Sequence, residues 1–185
     1  MIFGERIRFR GVEQADLETF VRWLNDPDVR RGIGLYLPFS STDEQEWFEK
    51  MRQLPPNERV MAIESVEQDP HGQETWHLIG TCGFFNFDSR NASAEFGIMI
   101  GEKAYWDRGY GTEAVRLLVK HGFNTLNLNR IHLRVFETNP RATRAYEKAG
   151  FTHEGCQRQA EFREGKYIDV LVMSILRSEF LEPGP

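Results

Sequence analysis

The residues best placed to do chemistry are Arg108-Gly109-Tyr110-Gly111-Thr112. Two glycines one residue apart let the backbone turn sharply and remove the Cβ atoms that would hold a ligand away. From Thr112 onward, Ala114, Val115, Leu118 and Val119 recur at helical spacing, with Arg116 and Lys120 off the stripe. A glycine pair leading into a helix offers unpaired N–H groups and the positive end of the helix dipole. It predicts an anion site, most economically for a phosphate or pyrophosphate. The same residues also fit a tight connection that binds nothing. A Walker loop fails here, because no Gly-Lys-Ser/Thr follows. The dinucleotide fingerprint is closer, with Gly109, Gly111 and Ala114 in place and Glu137 downstream. However, Gly101 to Arg108 intervene before the first glycine, where that motif wants the strand to end.

The elements that must position this loop follow from periodicity. Glu95 to Ile100 alternates as a strand, with Glu95, Gly97 and Met99 on one face and Phe96, Ile98 and Ile100 on the other. Arg130 to Phe136 alternates again. Asn139 then suits a helix N-cap, Pro140 the first helical position, and Gly150 a C-terminal stop before Phe151 returns to the core.

From Ala94 to Phe151 the chain resembles the GNAT superfamily of acetyl-CoA-dependent N-acetyltransferases. It is most similar to the branches acting on ribosomal-protein N-termini (the Rim type) and on spermidine. The resemblance implies a mixed α/β domain over residues 1–185. Its sheet is mostly antiparallel and twisted, flanked by helices, with a central pair (Ala94–Ile100 and Ile131–Phe136) splayed to admit the cofactor. It implies acetyl-CoA as co-substrate and no metal. The pyrophosphate would lie over the amides of Arg108, Gly109, Tyr110, Gly111 and Thr112, and the pantetheine arm along Ile98, Met99 and Ile100. Asn139 would contact the cofactor and, with Tyr146 and Glu95, belong to the catalytic residues, and Tyr146 would stand at the thioester sulfur. The family commonly carries Gln/Arg-x-x-Gly-x-Gly/Ala in the loop; Trp106 occupies the first of those positions here, which removes a polar contact. Arg144 and Lys148 could reach cofactor phosphates or remain in solvent.

The implied reaction has its own requirements. An amine must be neutral to attack a thioester carbon. Near pH 7 this costs roughly 1–1.4 kcal/mol for an N-terminal amine and roughly 4.6 kcal/mol for a lysine, from their reference pKa values. A carboxylate on the acceptor side, acting directly or through water, can hold the arriving cation and take its proton. Glu95 is the candidate: an isolated acid in an apolar run, at a position where related members carry Glu. Tyr146 suits a hydrogen bond to the leaving thiolate rather than full proton transfer, since its reference pKa of about 10 exceeds a thiol's of about 8.5. His121 and His132 read as structural.

The chain has 185 residues and a net charge of −5, from 23 basic and 28 acidic residues. That balance points to neither nucleic acid nor an anionic membrane as a bulk partner. Cys82 and Cys156 stand apart, with no Cys/His grouping at metal spacing. No stretch reads as a membrane span or signal peptide, so a reduced, cytoplasmic protein is expected. The coarse order is β-α-α-β-β-β-α-β-α-β-β. It starts with a strand at Arg6–Arg10 and a helix opened by Ala15-Asp16 with Leu17, Phe20, Val21 and Leu24 inward. A short helix holding Val29, a glycine-rich loop from Arg31 to Pro38, and a helix from Glu46 to Gln53 capped at Thr42–Gln45 come next. Strands at Arg59–Val66 and Trp76–Phe87 flank a turn containing Asp69, Pro70 and Gly72, and Thr152–Glu161 with Tyr167–Arg177 form a closing pair.

Acceptor choice rests in the loop and the closing strands. A peptide N-terminal amine is the leading expectation. The alternatives are a polyamine, for which Asp26, Asp28, Glu44 and Glu46 could supply carboxylates, or another small amine such as an antibiotic or amino sugar. A non-catalytic acyl-CoA-binding module is a further alternative, and the resemblance also allows a homodimer.

Overall fold

The structure, a computed structural model, describes residues 1–68 and 71–180. The turn expected at Asp69 and Pro70 therefore lies outside the described residues. One sheet of eight strands organises the fold, in the order β1-β2-β3-β4-β5-β6-β8-β7. They are β1 (Ile2–Phe3), β2 (Ile7–Gly11), β3 (Met61–Gln68), β4 (Glu74–Asp88), β5 (Ser93–Ile100), β6 (Arg130–Phe136), β7 (Thr152–Arg163) and β8 (Lys166–Leu176). Every neighbouring pair is antiparallel except β5–β6. The fold class matches the expectation, with β1 an addition and β8 inserted between β6 and β7.

Helices α4 (Tyr110–Asn124) and α5 (Pro140–Lys148) cover one face of the sheet. Ala114, Val115, Leu118 and Val119 are all buried there against Ile131, Leu133 and Phe96 in the main core. A smaller core lies under α1 (Leu17–Asn25), α2 (Pro27–Arg30) and α3 (Ser41–Gln53). It holds Leu17, Phe20, Trp23, Val29, Phe48 and Met51, with Met99 against its edge. Two details differ from the sequence reading. Trp23 is fully buried while Val21 and Leu24 are half-buried, so the inward face of α1 is rotated toward the indole. The third helix starts at Ser41, because the Ser40 hydroxyl and Asp43 carboxylate form a reciprocal capping box earlier than Thr42–Gln45.

β5 and β6 pair only at Ser93–Arg130, Ala94–Ile131 and Glu95–His132, and then separate although both strands continue. On the other side β5 stays tight on β4. A Cβ on Gly80 would lie 2.1 Å from the carbonyl oxygen of Met99, so only glycine allows the approach. The splay is thus fixed from one side. It forms a V that opens toward the N-terminus of α4.

Candidate active site

A cleft of about 710 Å³ fills the V. Ile98, Met99 and Ile100 form its β5 wall, and Gly109, Gly111 and Thr112 close its upper end. Gly109 is the N-cap of α4 with φ 87, a left-handed conformation that strains side-chain-bearing residues. No side chain caps this helix, so the amides of its first turn are left for a ligand. A Cβ on Gly111 would meet nothing nearer than Ile100 Cγ1 at 3.9 Å, so the space beside it belongs to the cleft.

The loop's side chains point elsewhere. Tyr110 is buried edge-on to Tyr105 with Arg6 over its ring at 4.4 Å. Arg108 donates to the carbonyl of Ala104 at 3.3 Å. Neither residue lines the cleft. Trp106 takes a structural role: its indole N–H donates to the carbonyl oxygen of Ile100 at 2.7 Å, tying the loop to the end of β5.

Two carbon-rich and two charged side chains meet at the apex of the V, on opposite faces. On the helical face Tyr146 is buried, edge-on to Phe96 at 5.6 Å between ring centroids. Burial pushes its hydroxyl pKa up to about 12, so the phenol stays protonated. It makes no hydrogen bond among the described residues. On the other face Glu95 is buried, 7% exposed, at the last paired position of β5. Its Oε1 accepts from Arg134 Nε at 3.0 Å and its Oε2 from Asn86 Nδ2 at 3.0 Å. Asn86 stands where the β4–β5 register breaks, with φ 52, and that irregularity delivers its amide to Glu95. His132 lies directly across the ladder from Glu95, and its Nδ1 is buried without a partner among the described residues. Burial holds the His121 ring below the usual imidazole pKa, as a helix-packing residue.

Asn139 caps α5 as expected, its Oδ1 accepting from the Ala142 amide at 3.2 Å, with Pro140 next. Its Nδ2 faces the acceptor loop, 2.9 Å from where a Cβ on Gly32 would stand. Arg141, Arg144 and Lys148 follow along α5, and all three line the cleft without a side-chain ion pair or hydrogen bond among the described residues. Unpaired cations beside an uncapped helix N-terminus fit a polyanionic nucleotide.

The cleft also holds groups that the sequence reading missed. Glu58, in the short turn Pro56–Glu58, and Glu161, on β7, are half-buried in the cleft wall. Neither carboxylate has an ion-pair or hydrogen-bond partner among the described residues. Arg163 reaches from β7 to the carbonyl oxygens of Arg30 (2.8 Å) and Ile33, with its guanidinium 4.9 Å from the ring of Phe136. Of the four acids that could have supplied a polyamine site, none lines the cleft. Asp26 and Asp28 pair with Lys103 at 2.7 and 3.1 Å, and Glu46 faces Lys50 at 3.6 Å. Glu44 is buried in α3 away from the cleft.

A strand pair parted over a cleft, an uncapped glycine-led helix and a tyrosine at the apex are the features of one family. The model for the acetyltransferase (GNAT) domain matches residues 6–152. The chain belongs to this family. Spermidine N(1)-acetyltransferase of Escherichia coli K12 is 35% identical over 184 residues, spanning 95% of this chain and 88% of the relative. L-amino acid N-acetyltransferase of the same organism is 33% identical over 168 residues, with 91% and 96% covered. Spermidine N-acetyltransferase from Vibrio cholerae, solved in complex with CoA and spermine, superposes with a TM-score of 0.80 at 27% identity, covering 94% of this chain and 97% of that one. This GNAT protein is an acetyl-CoA-dependent N-acetyltransferase.

Proposed function

We propose that the acceptor is a polyamine of the spermidine class. The observation that carries the reading is the pair of unpartnered, half-buried carboxylates, Glu58 and Glu161, lining the same cleft as Glu95. A half-buried carboxylate without a counter-charge is costly, and a multiply charged amine supplies what both lack. Spermidine acetyltransferases among the relatives support the same choice over the peptide N-terminus favoured by reference pKa values. That preference considered only the cost of deprotonating the reacting amine. It took no account of the attraction available to a second and third ammonium.

Acetyl-CoA supplies an activated acetyl thioester. The first-turn amides of α4 and the cations of α5 hold its phosphates, and the unpaired edges of Ile98 to Ile100 guide its arm to the apex. The terminal ammonium of the acceptor approaches on the Glu95 face, where the carboxylate accepts its proton directly or through water, leaving a neutral nucleophile. Tyr146 waits on the opposite face as a hydrogen-bond donor to the departing sulfur, and Asn139 fixes the start of the helix that carries it.

The test is competitive. Spermidine, a free amino acid, a short peptide with a free N-terminus and the same peptide blocked are offered at equal concentration. Acetylation of spermidine with at least tenfold preference is expected, falling in Glu58→Gln and Glu161→Gln through a raised KM. Turnover of the free peptide with spermidine untouched would overturn the reading.

A further inference from the structure

Glu95 is already occupied by a cation. Arg134 projects from β6 past the last β5–β6 pair, on the Glu95 face of the sheet, and its Nε meets Glu95 Oε1 at 3.0 Å. The two partners differ in environment: the Glu95 side chain is 9% exposed, that of Arg134 55%. Arg134 therefore crosses the apex of the V as an exposed arm resting on a buried carboxylate. Its guanidinium makes no other hydrogen bond or ion pair among the described residues.

The reacting amine has to come to the same carboxylate, and it arrives as an ammonium. Two cations cannot share Oε1 without strong repulsion, because like charges at hydrogen-bonding distance in a half-buried site are poorly screened. Asn86, the other partner, is neutral and can stay. We infer that Arg134 is a specificity-determining residue, a resident counter-ion that stands in for the acceptor's ammonium on Glu95 and is displaced when a cationic acceptor binds. The exchange replaces one ion pair with another and so yields little net attraction for a simple monoamine. A second ammonium, reaching Glu58 or Glu161, provides the surplus. Arg134 thereby turns the cleft from a general amine site into one that discriminates by charge count. This inference rests on the amine-acceptor reading above.

The experiment is a double-mutant cycle on Arg134 and Glu95, read as KM for spermidine, kcat, and acetyl-CoA affinity. Arg134→Gln is expected to lower the spermidine KM at least fivefold, with acetyl-CoA affinity unchanged and kcat within about threefold. In the Glu95→Gln background the same change should move KM less than twofold, because no ion pair remains to be exchanged. Arg134→Lys, which keeps the charge, should hold KM within twofold of the wild type. An equal fall in both backgrounds would assign the effect to the general field of a positive charge and overturn displacement. A rise in KM on Arg134→Gln would overturn it too, making Arg134 a contact for the acceptor. If spermidine is not turned over, the acceptor reading has failed, and the cycle is run with the amine that is.

Discussion

Arg141 lies flat on Trp106, its guanidinium carbon 3.6 Å from the ring centroid. The contact spans the cleft from α5 to the loop before α4. Burial draws the Arg141 pKa below the usual guanidinium value, and no acceptor among the described residues satisfies its N–H groups. A desolvated, unpaired guanidinium in a cleft wall is prepared for an anion. Trp106 thus holds a cation where the family's polar loop side chain would stand. Arg141→Ala should weaken acetyl-CoA binding about tenfold or more, in line with the ~1.5–3 kcal/mol of a hydrogen bond to a charged group. Dephospho-CoA titrated against both proteins would show whether the lost contact is to the 3′-phosphate. Unchanged affinity for both ligands would remove Arg141 from the site.

The two loop glycines should fail differently. Gly111→Val places its branch in open cleft, so the fold and thermal midpoint should survive while acetyl-CoA affinity falls well over tenfold. Gly109→Ala acts on the backbone, since φ 87 costs a side-chain-bearing residue roughly 1–2 kcal/mol. It should lower the melting temperature as well as the affinity. Calorimetric titration beside thermal melts separates the two outcomes.

Tyr146→Phe should reduce kcat by roughly 10–1000-fold with little change in acetyl-CoA affinity, as expected for a donor that acts as charge develops on sulfur. The fold should tolerate it, because the hydroxyl has no partner among the described residues and the ring keeps its contacts with Phe96 and Phe151. The raised pKa carries a sign. Burial favours the neutral phenol, so this residue's contribution to stability is intact below about pH 10 and is lost as pH rises toward about 12. Tyr146→Phe should flatten that alkaline limb of a stability–pH curve.

Much of this site was legible because backbone chemistry writes itself into residue type. Gly109 at a positive φ, Asn139 as a cap, Pro140 after it and Gly150 at φ 96 occupy the roles their identities suggest. The acceptor wall was not legible. Glu58 and Glu161 are far apart in the chain, and only the folded sheet places both along one cleft. Asp26 and Asp28 are neutralised by Lys103, which is distant in sequence, and Asp28 also by the nearby Arg31. Local pattern predicts elements; ion pairing between elements depends on topology.

Glu44 shows a different consequence of burial. It sits in the first turn of α3 at 2% exposure, without a hydrogen-bond or ion-pair partner for its carboxyl among the described residues, and burial raises its pKa to about 7. Its folded pKa lies above its unfolded one, so its contribution to stability is greatest below about pH 4.5 and is lost as pH rises through 7. Glu44→Gln should therefore raise the melting temperature at pH 8 and leave it nearly unchanged at pH 5. Activity per folded molecule should not move. An equal shift at both pH values would mean the carboxyl is not titrating as its burial dictates.

Arg163 ties the segment Arg31 to Pro38 to β7. Through the carbonyl oxygens of Arg30 and Ile33 it fixes the start of the segment Arg31 to Pro38, and the Phe136 ring beneath it limits where the guanidinium can go. Backbone carbonyls at the end of α2 would otherwise lose a charged donor in a partly buried place, so the clamp favours one loop position. That position sets Ile33 and Gly34 in the cleft wall. Arg163→Ala should leave acetyl-CoA affinity intact, since none of its contacts touches α4 or the exposed edge of β5. It should raise the acceptor KM by about tenfold and speed amide exchange in residues 31–38. Arg163→Lys, which keeps the charge but not the planar donor fork, should recover only part of the loss. An acceptor KM unchanged in Arg163→Ala, with exchange in the loop nonetheless faster, would show that the loop is clamped for stability and takes no part in selecting the acceptor.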